Sequence, residues 1–93
     1  MNDYQIAIQT GLSSHFRQPN GPSRPGIDWV VLLTKGTETK KILVRDYLDD
    51  AAGRSQEQSS KSAVEFVANL LRTGWTPSDY KGQPGELVVP AKS

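Results

Sequence analysis

Four residues in the middle of the chain, Lys35-Gly36-Thr37-Glu38, constrain the fold more than any other feature. Glycine at the first central position of a two-residue connection suits a type II′ turn, whose twist matches that of the strands it joins. Once that turn is assumed, the pairing of the flanking residues is fixed. Lys35 faces Glu38, Thr34 faces Thr39, Val31 faces Ile42, Trp29 faces Val44 and Asp28 faces Arg45. Two opposite-charge pairs, a threonine pair and two apolar pairs follow from one assumption, and such cross-strand pairs are what stabilise a sheet. The sequence therefore predicts an antiparallel hairpin with strands over 27–33 and 40–46. The β-branched and aromatic content of Ile27–Leu33 agrees with it.

The remaining elements follow from period and punctuation. Tyr4, Ile6 and Ile8 alternate with Gln5, Ala7 and Gln9, which predicts a short half-buried strand. Gly11 to Gly26 contains three Pro, three Gly, three Ser and one Asn, and is expected to be a flexible loop. Ala63, Phe66, Val67, Leu70 and Leu71 form one apolar stripe at helical spacing. Ser62 with Glu65 could cap that helix, and Ser55 or Ser59 could cap an earlier start. Gly74 suits the left-handed position after the last turn, with Trp75 folding back on Leu70. Glu86-Leu87-Val88-Val89 reads as a last short strand stopped by Pro90, and 91–93 as a frayed tail. The expected fold is α+β over a single domain, 1–93. It has a three- to four-stranded, mostly antiparallel sheet, ordered strand-loop-hairpin-helix-strand, with one helix packed on one face. Its core should hold Ile6, Ile8, Trp29, Val31, Ile42, Val44, Phe66, Val67, Leu70, Leu71 and Trp75.

Composition narrows the chemistry. A chain of 93 residues, 35% hydrophobic, has room for one modest core. Eleven basic against ten acidic side chains leave a net charge of +1, far from the footprint of a strongly basic nucleic-acid binder. There is no cysteine, so disulfides, zinc–thiolate sites, redox motifs and cysteine nucleophiles are excluded. The one histidine, His15, stands beside Ser13 and Ser14 in the Gly/Pro-rich segment, where a catalytic triad would lack rigid support. Asp46, Asp49 and Asp50 have no EF-hand spacing and read as a strand end and turn cap. Neither GxxxxGK[ST] nor GxGxxG occurs. No catalytic residue, metal or cofactor is implied. No apolar run approaches the ~20 residues that cross a bilayer, and residues 1–20 lack a signal peptide's basic start and apolar run. The expectation is a small cytoplasmic protein with no membrane partner. Pro19, Pro22 and Pro25, with Arg24 among them, suit either a spacer or a weak polyproline docking segment.

The hairpin supplies the functional hint. If Trp29, Val31, Ile42 and Val44 face the helix, then Val30, Leu32 and Leu43 lie on the opposite face. Lys41 and Arg45 sit beside them, with Asp28, Thr34 and Thr39 at the rim. An apolar patch ringed by polar and basic groups is typical of an interaction surface. The 11–26 segment or another strand could instead cover it, and self-association through it is a third possibility. The leading expectation is a non-enzymatic interaction module that binds a protein partner or itself through Val30, Leu32, Leu43, Lys41 and Arg45. The alternative is a weak nucleic-acid-binding domain using Lys41, Arg45 and Lys61. Three strands followed by Ser60-Lys61-Ser62-Ala63 and an apolar helix resemble the later part of a double-stranded-RNA-binding domain, over roughly residues 27–72. That resemblance implies phosphate binding at the start of the helix. Only Lys61 stands where the family has a lysine cluster, and a strand over Tyr4–Gln9 replaces the family's first helix. Near-zero net charge predicts weak phosphate binding, and the Val30/Leu32/Leu43 face offers no aromatic on which a base could stack.

Overall fold

The central hairpin forms in the register its turn dictates. In the computed structural model, which describes residues 3–49 and 52–91, β2 (Gly21–Lys35) pairs antiparallel with β3 (Glu38–Tyr47). Lys35 opposes Glu38, Thr34 opposes Thr39, Trp29 opposes Val44 and Asp28 opposes Arg45. Gly36 has φ of 62° and, among the described residues, no non-glycine residue has a positive φ, as a type II′ turn with glycine first requires. Thr34 and Thr39 share a hydroxyl hydrogen bond of 3.3 Å across the hairpin.

The largest departure from expectation lies N-terminal to this hairpin. Residues 11–26 do not form a flexible loop. β1 runs from Gln5 to Gln18 and pairs antiparallel with β2, connected by a two-residue turn at Pro19–Asn20, so the sheet has the order β1-β2-β3. Two of the three glycines that suggested a loop, Gly11 and Gly26, stand where neighbours approach too closely for a side chain, while Gly21 has open space beside it. A Cβ at Gly11 would lie 2.5 Å from Ile27 Cδ1 and 2.8 Å from Trp29 Cζ3. At Gly26 it would meet the Asp46 carbonyl at 2.8 Å and the Phe16 ring at 2.9 Å. Pro19 lies in the turn, and Pro22 and Pro25 sit where β2 outruns β3. Pro25 lies one residue beyond the Gly26↔Tyr47 pair, and its carbonyl still accepts from Leu48 N–H at 2.8 Å. Its missing N–H therefore weakens only the end of the ladder.

One helix covers one face of this sheet. α1 (Gln56–Arg72) starts at Ser55, the earliest of the three capping serines. Ser55 Oγ accepts from Gln58 N–H, and Gln58 Oε1 accepts from Ser55 N–H, a reciprocal capping box. The helix ends as read: Gly74 has φ of 105°, and Trp75 N–H donates to Leu70 O at 3.0 Å. Ala63 and Val67 are fully buried against Ile27, Trp29, Val31, Leu33, Ile42 and Val44, and Ile6, Ile8, Phe66, Leu70, Leu71 and Trp75 pack around them. Burying each large aliphatic of this set contributes about 1.5–3 kcal/mol.

The expected last strand is reduced to a single contact. Residues 86–89 form an isolated parallel bridge, Arg45↔Val88, rather than a fourth strand. Its two hydrogen bonds both use the Arg45 backbone, and Pro90 follows at once. The alternation still holds, with Leu87 and Val89 buried in the core and Val88 turned outward.

Candidate interaction surface

Because helix and core occupy one face, alternation sends the other side chains of all three strands to the outer face. The paired residues form rows across the sheet: Gln5–Thr34–Thr39, Ala7–Leu32–Lys41, Thr10–Val30–Leu43 and Leu12–Asp28–Arg45. Val30, at 6% exposure, is the enclosed centre, flanked by the half-buried Leu32 and Leu43. Leu12 is the most exposed large apolar side chain among the described residues, at 55%. The expected residues Val30, Leu32, Leu43, Lys41 and Arg45 thus share one face, with Lys41 at the exposed rim. Lys61 does not join them. It lies on α1, beyond the core, where it meets Glu57 at 4.0 Å.

Arg45 is not a free cation. Its Nε and Nη2 donate to the two Asp28 carboxylate oxygens at 2.9 and 3.2 Å. Its guanidinium also lies 3.7 Å from the centre of the Phe16 ring. Phe16 meets Tyr47 edge-on with centroids 6.2 Å apart, and Arg24 covers Tyr47 at 4.0 Å. Arg24 in turn donates twice to Asp49, at 2.6 and 2.9 Å. Cation and ring alternate along Arg45, Phe16, Tyr47 and Arg24, which ties the far end of the β1–β2 hairpin to β3. The carboxylate partners hold both guanidiniums above their ordinary pKa, and Arg24 holds the Asp49 carboxyl below its own.

The acids that could have suggested a catalytic pair are separated by the fold. Asp46 points to the helix side and is 1% exposed. Arg54 donates to both its oxygens at 2.7 and 2.9 Å, and Ser59 Oγ donates to Oδ2 at 2.6 Å. Trp29 Nε1 completes the chain by donating to Ser59 Oγ at 2.9 Å. Arg54 also donates to Pro90 O at 2.6 Å, so the same guanidinium anchors the C-terminal segment. Asp46 raises the Arg54 pKa through these bonds. Asp49 serves Arg24 and the Ala52 N–H, and Asp50 lies outside the described residues. His15 is exposed on β1 opposite Pro25. Among the described residues no group of three or more His, Cys, Asp or Glu side chains is placed to hold a metal ion, and no helix is long and apolar enough to cross a membrane.

Leu12, Phe16, Arg24 and Tyr47 belong to the outer face and were not legible as part of it. For Leu12 and Phe16 the signal is the alternation of Leu12, Ser14 and Phe16, hidden inside a segment whose glycine and proline content spoke for a loop, and Tyr47 continues the alternation of Leu43 and Arg45. Comparison with models of known protein families, with curated proteins and with solved structures gave no match.

Proposed function

We propose that the protein is a non-enzymatic interaction module that binds another protein through the outer face of its sheet. The observation that supports this reading is the one-sided packing of the fold. α1, Leu87 and Val89 all join the core on one face, while Val30, Leu32, Leu43 and the exposed Leu12 line the other. Apolar side chains within a polar rim are the usual anatomy of a protein-binding patch. Lys41 and the Asp28–Arg45 pair supply that rim, and the held guanidinium gives a partner a fixed charge geometry rather than a mobile one.

The basic residues of the nucleic-acid reading do not converge, since Lys41 and Arg45 lie on the sheet and Lys61 on the helix. Leu43→Glu tests the protein-binding reading. The variant should keep the wild-type circular dichroism and melting transition, and lose a stoichiometric protein that the wild type captures from native extract after nuclease treatment. Unfolding of the variant would make that face part of the core and end the proposal. Loss of every captured partner on nuclease treatment would favour nucleic acid.

A further inference from the structure

The two edges of the sheet are finished differently. Along the C-terminal half of β3 three outward backbone groups are taken: Leu43 N–H donates to Tyr80 Oη at 3.1 Å, Arg45 N–H to Leu87 O at 2.8 Å, and Arg45 O accepts from Val89 N–H at 2.8 Å. These bonds also fix the phase of the whole sheet. Leu43 and Arg45 turn their backbone groups away from β2, so their opposites Val30 and Asp28 turn theirs toward β1. Thr10 and Leu12 answer them, which leaves Gly11 and Ser13 pointing outward. By the same alternation Ala7 answers Leu32, and Ile6 and Ile8 point outward. Among the described residues no other segment supplies a backbone hydrogen bond to these four.

An open edge invites another strand unless charge, proline or a bulge prevents it. From Tyr4 to Ser14, β1 carries no charged residue and no proline. Its guard is the bulge at Gln9, between the pairs Ile8↔Val31 and Thr10↔Val30. The extra residue puts the two halves of the edge out of phase, so a regular strand that fits one half fails on the other. A second copy running antiparallel escapes this, because its own bulge falls at the same place. Ile8-Gln9-Thr10-Gly11 of one chain then meets Gly11-Thr10-Gln9-Ile8 of the other with no residue left over.

We propose that the protein forms a two-fold dimer by antiparallel pairing of β1 with β1 of a second copy, Ile8 opposite Gly11 and Ile6 opposite Ser13, to make a six-stranded sheet. The side chains are self-complementary in this register. On the helix side the large Ile6 and Ile8 meet the small Ser13 and Gly11. On the outer side the exposed Leu12 meets Ala7, and Gln5 meets Ser14. Asp3 of one copy comes beside the Phe16–Arg17 end of the other, whereas parallel pairing would bring like-charged ends together. The pairing is independent of the outer-face reading, although it extends the Ala7–Leu32–Lys41 row with Leu12 of the second copy.

The test is the solution mass of the full chain by sedimentation or light scattering. Wild type should have twice the chain mass, and so should Leu43→Glu. Ser13→Pro removes an outward N–H that β2 does not use, and should be monomeric with an unchanged far-ultraviolet spectrum. Register is read separately in this cysteine-free chain. Ala7→Cys mixed with Leu12→Cys should oxidise to a 7–12 crosslink, since facing Cα atoms at such non-hydrogen-bonded pairs lie about 4.5 Å apart. That crosslink keeps the proposal testable should Ser13→Pro fail to fold. A monomeric wild type, a dimer that survives Ser13→Pro, or the absence of the 7–12 crosslink would overturn it.

Discussion

The helix side and the outer side of the sheet use the same chemical device at different depths. Arg54–Asp46, Arg45–Asp28 and Arg24–Asp49 are all two-pronged guanidinium–carboxylate pairs. Their side-chain exposures are 5%/1%, 15%/13% and 30%/25% in that order. In the first pair desolvation is nearly complete, and the charges persist because Ser59, Trp29 and the Pro90 carbonyl bring further hydrogen bonds to the network. No buried side-chain polar atom lacks a partner among the described residues. In the last pair water screens most of the attraction. Equal geometry therefore predicts unequal consequences when each pair is broken.

The largest effect belongs to Arg54→Ala. It leaves the Asp46 carboxylate buried without its cation and frees the C-terminal segment, and should cost about 3–5 kcal/mol in urea unfolding. A cost near zero would mean that water reaches Asp46 and that the two sides do not differ. Arg45→Ala should be intermediate, at about 1–2 kcal/mol, because Asp28 can turn to solvent while Phe16 loses its cover. The smallest effect, Asp49→Asn, is best read through pH. Arg24 lowers the Asp49 carboxyl below its ordinary 3.8, so the pair's contribution is present above that value and disappears as pH falls through the lowered one. Wild type should melt slightly above Asp49→Asn at neutral pH, and the gap should close in acid. A gap that persists in strong acid would assign it to the packing of Arg24 on Tyr47 rather than to charge.

What the sequence made legible was local. The Lys35–Glu38 turn set the β2–β3 register, Gly74 marked the helix end while its start stayed open among Ser55, Ser59 and Ser62, and the helical stripe identified Val67 and its neighbours as core. Each of these rests on contacts between residues close in sequence or matched across a two-residue turn. The buried network around Asp46 was missed for the complementary reason. Nothing near it shows that Arg54, eight residues on, folds back to bury it, or that Ser59 and Trp29 close the network. The candidate surface was half legible. The β2–β3 half of the outer face followed from alternation, while the β1 half was lost inside the apparent loop.

Glycine and proline in residues 11–26 report two different things that a sequence cannot separate: freedom of the backbone, or lack of room beside it. The chain by itself determined a helix, a hairpin and their register, because turn chemistry and side-chain period act over a few residues. Only the tertiary structure decided that Gly11 and Gly26 are strand positions, because the rings and aliphatic groups that need the space come from Phe16, Ile27 and Trp29 across the sheet. It also decided which edge stays open. The segment that bonds the outward groups of Leu43 and Arg45 on β3 arrives from more than thirty residues away in the chain, and among the described residues no segment does the same for Ile6, Ile8, Gly11 or Ser13 of β1.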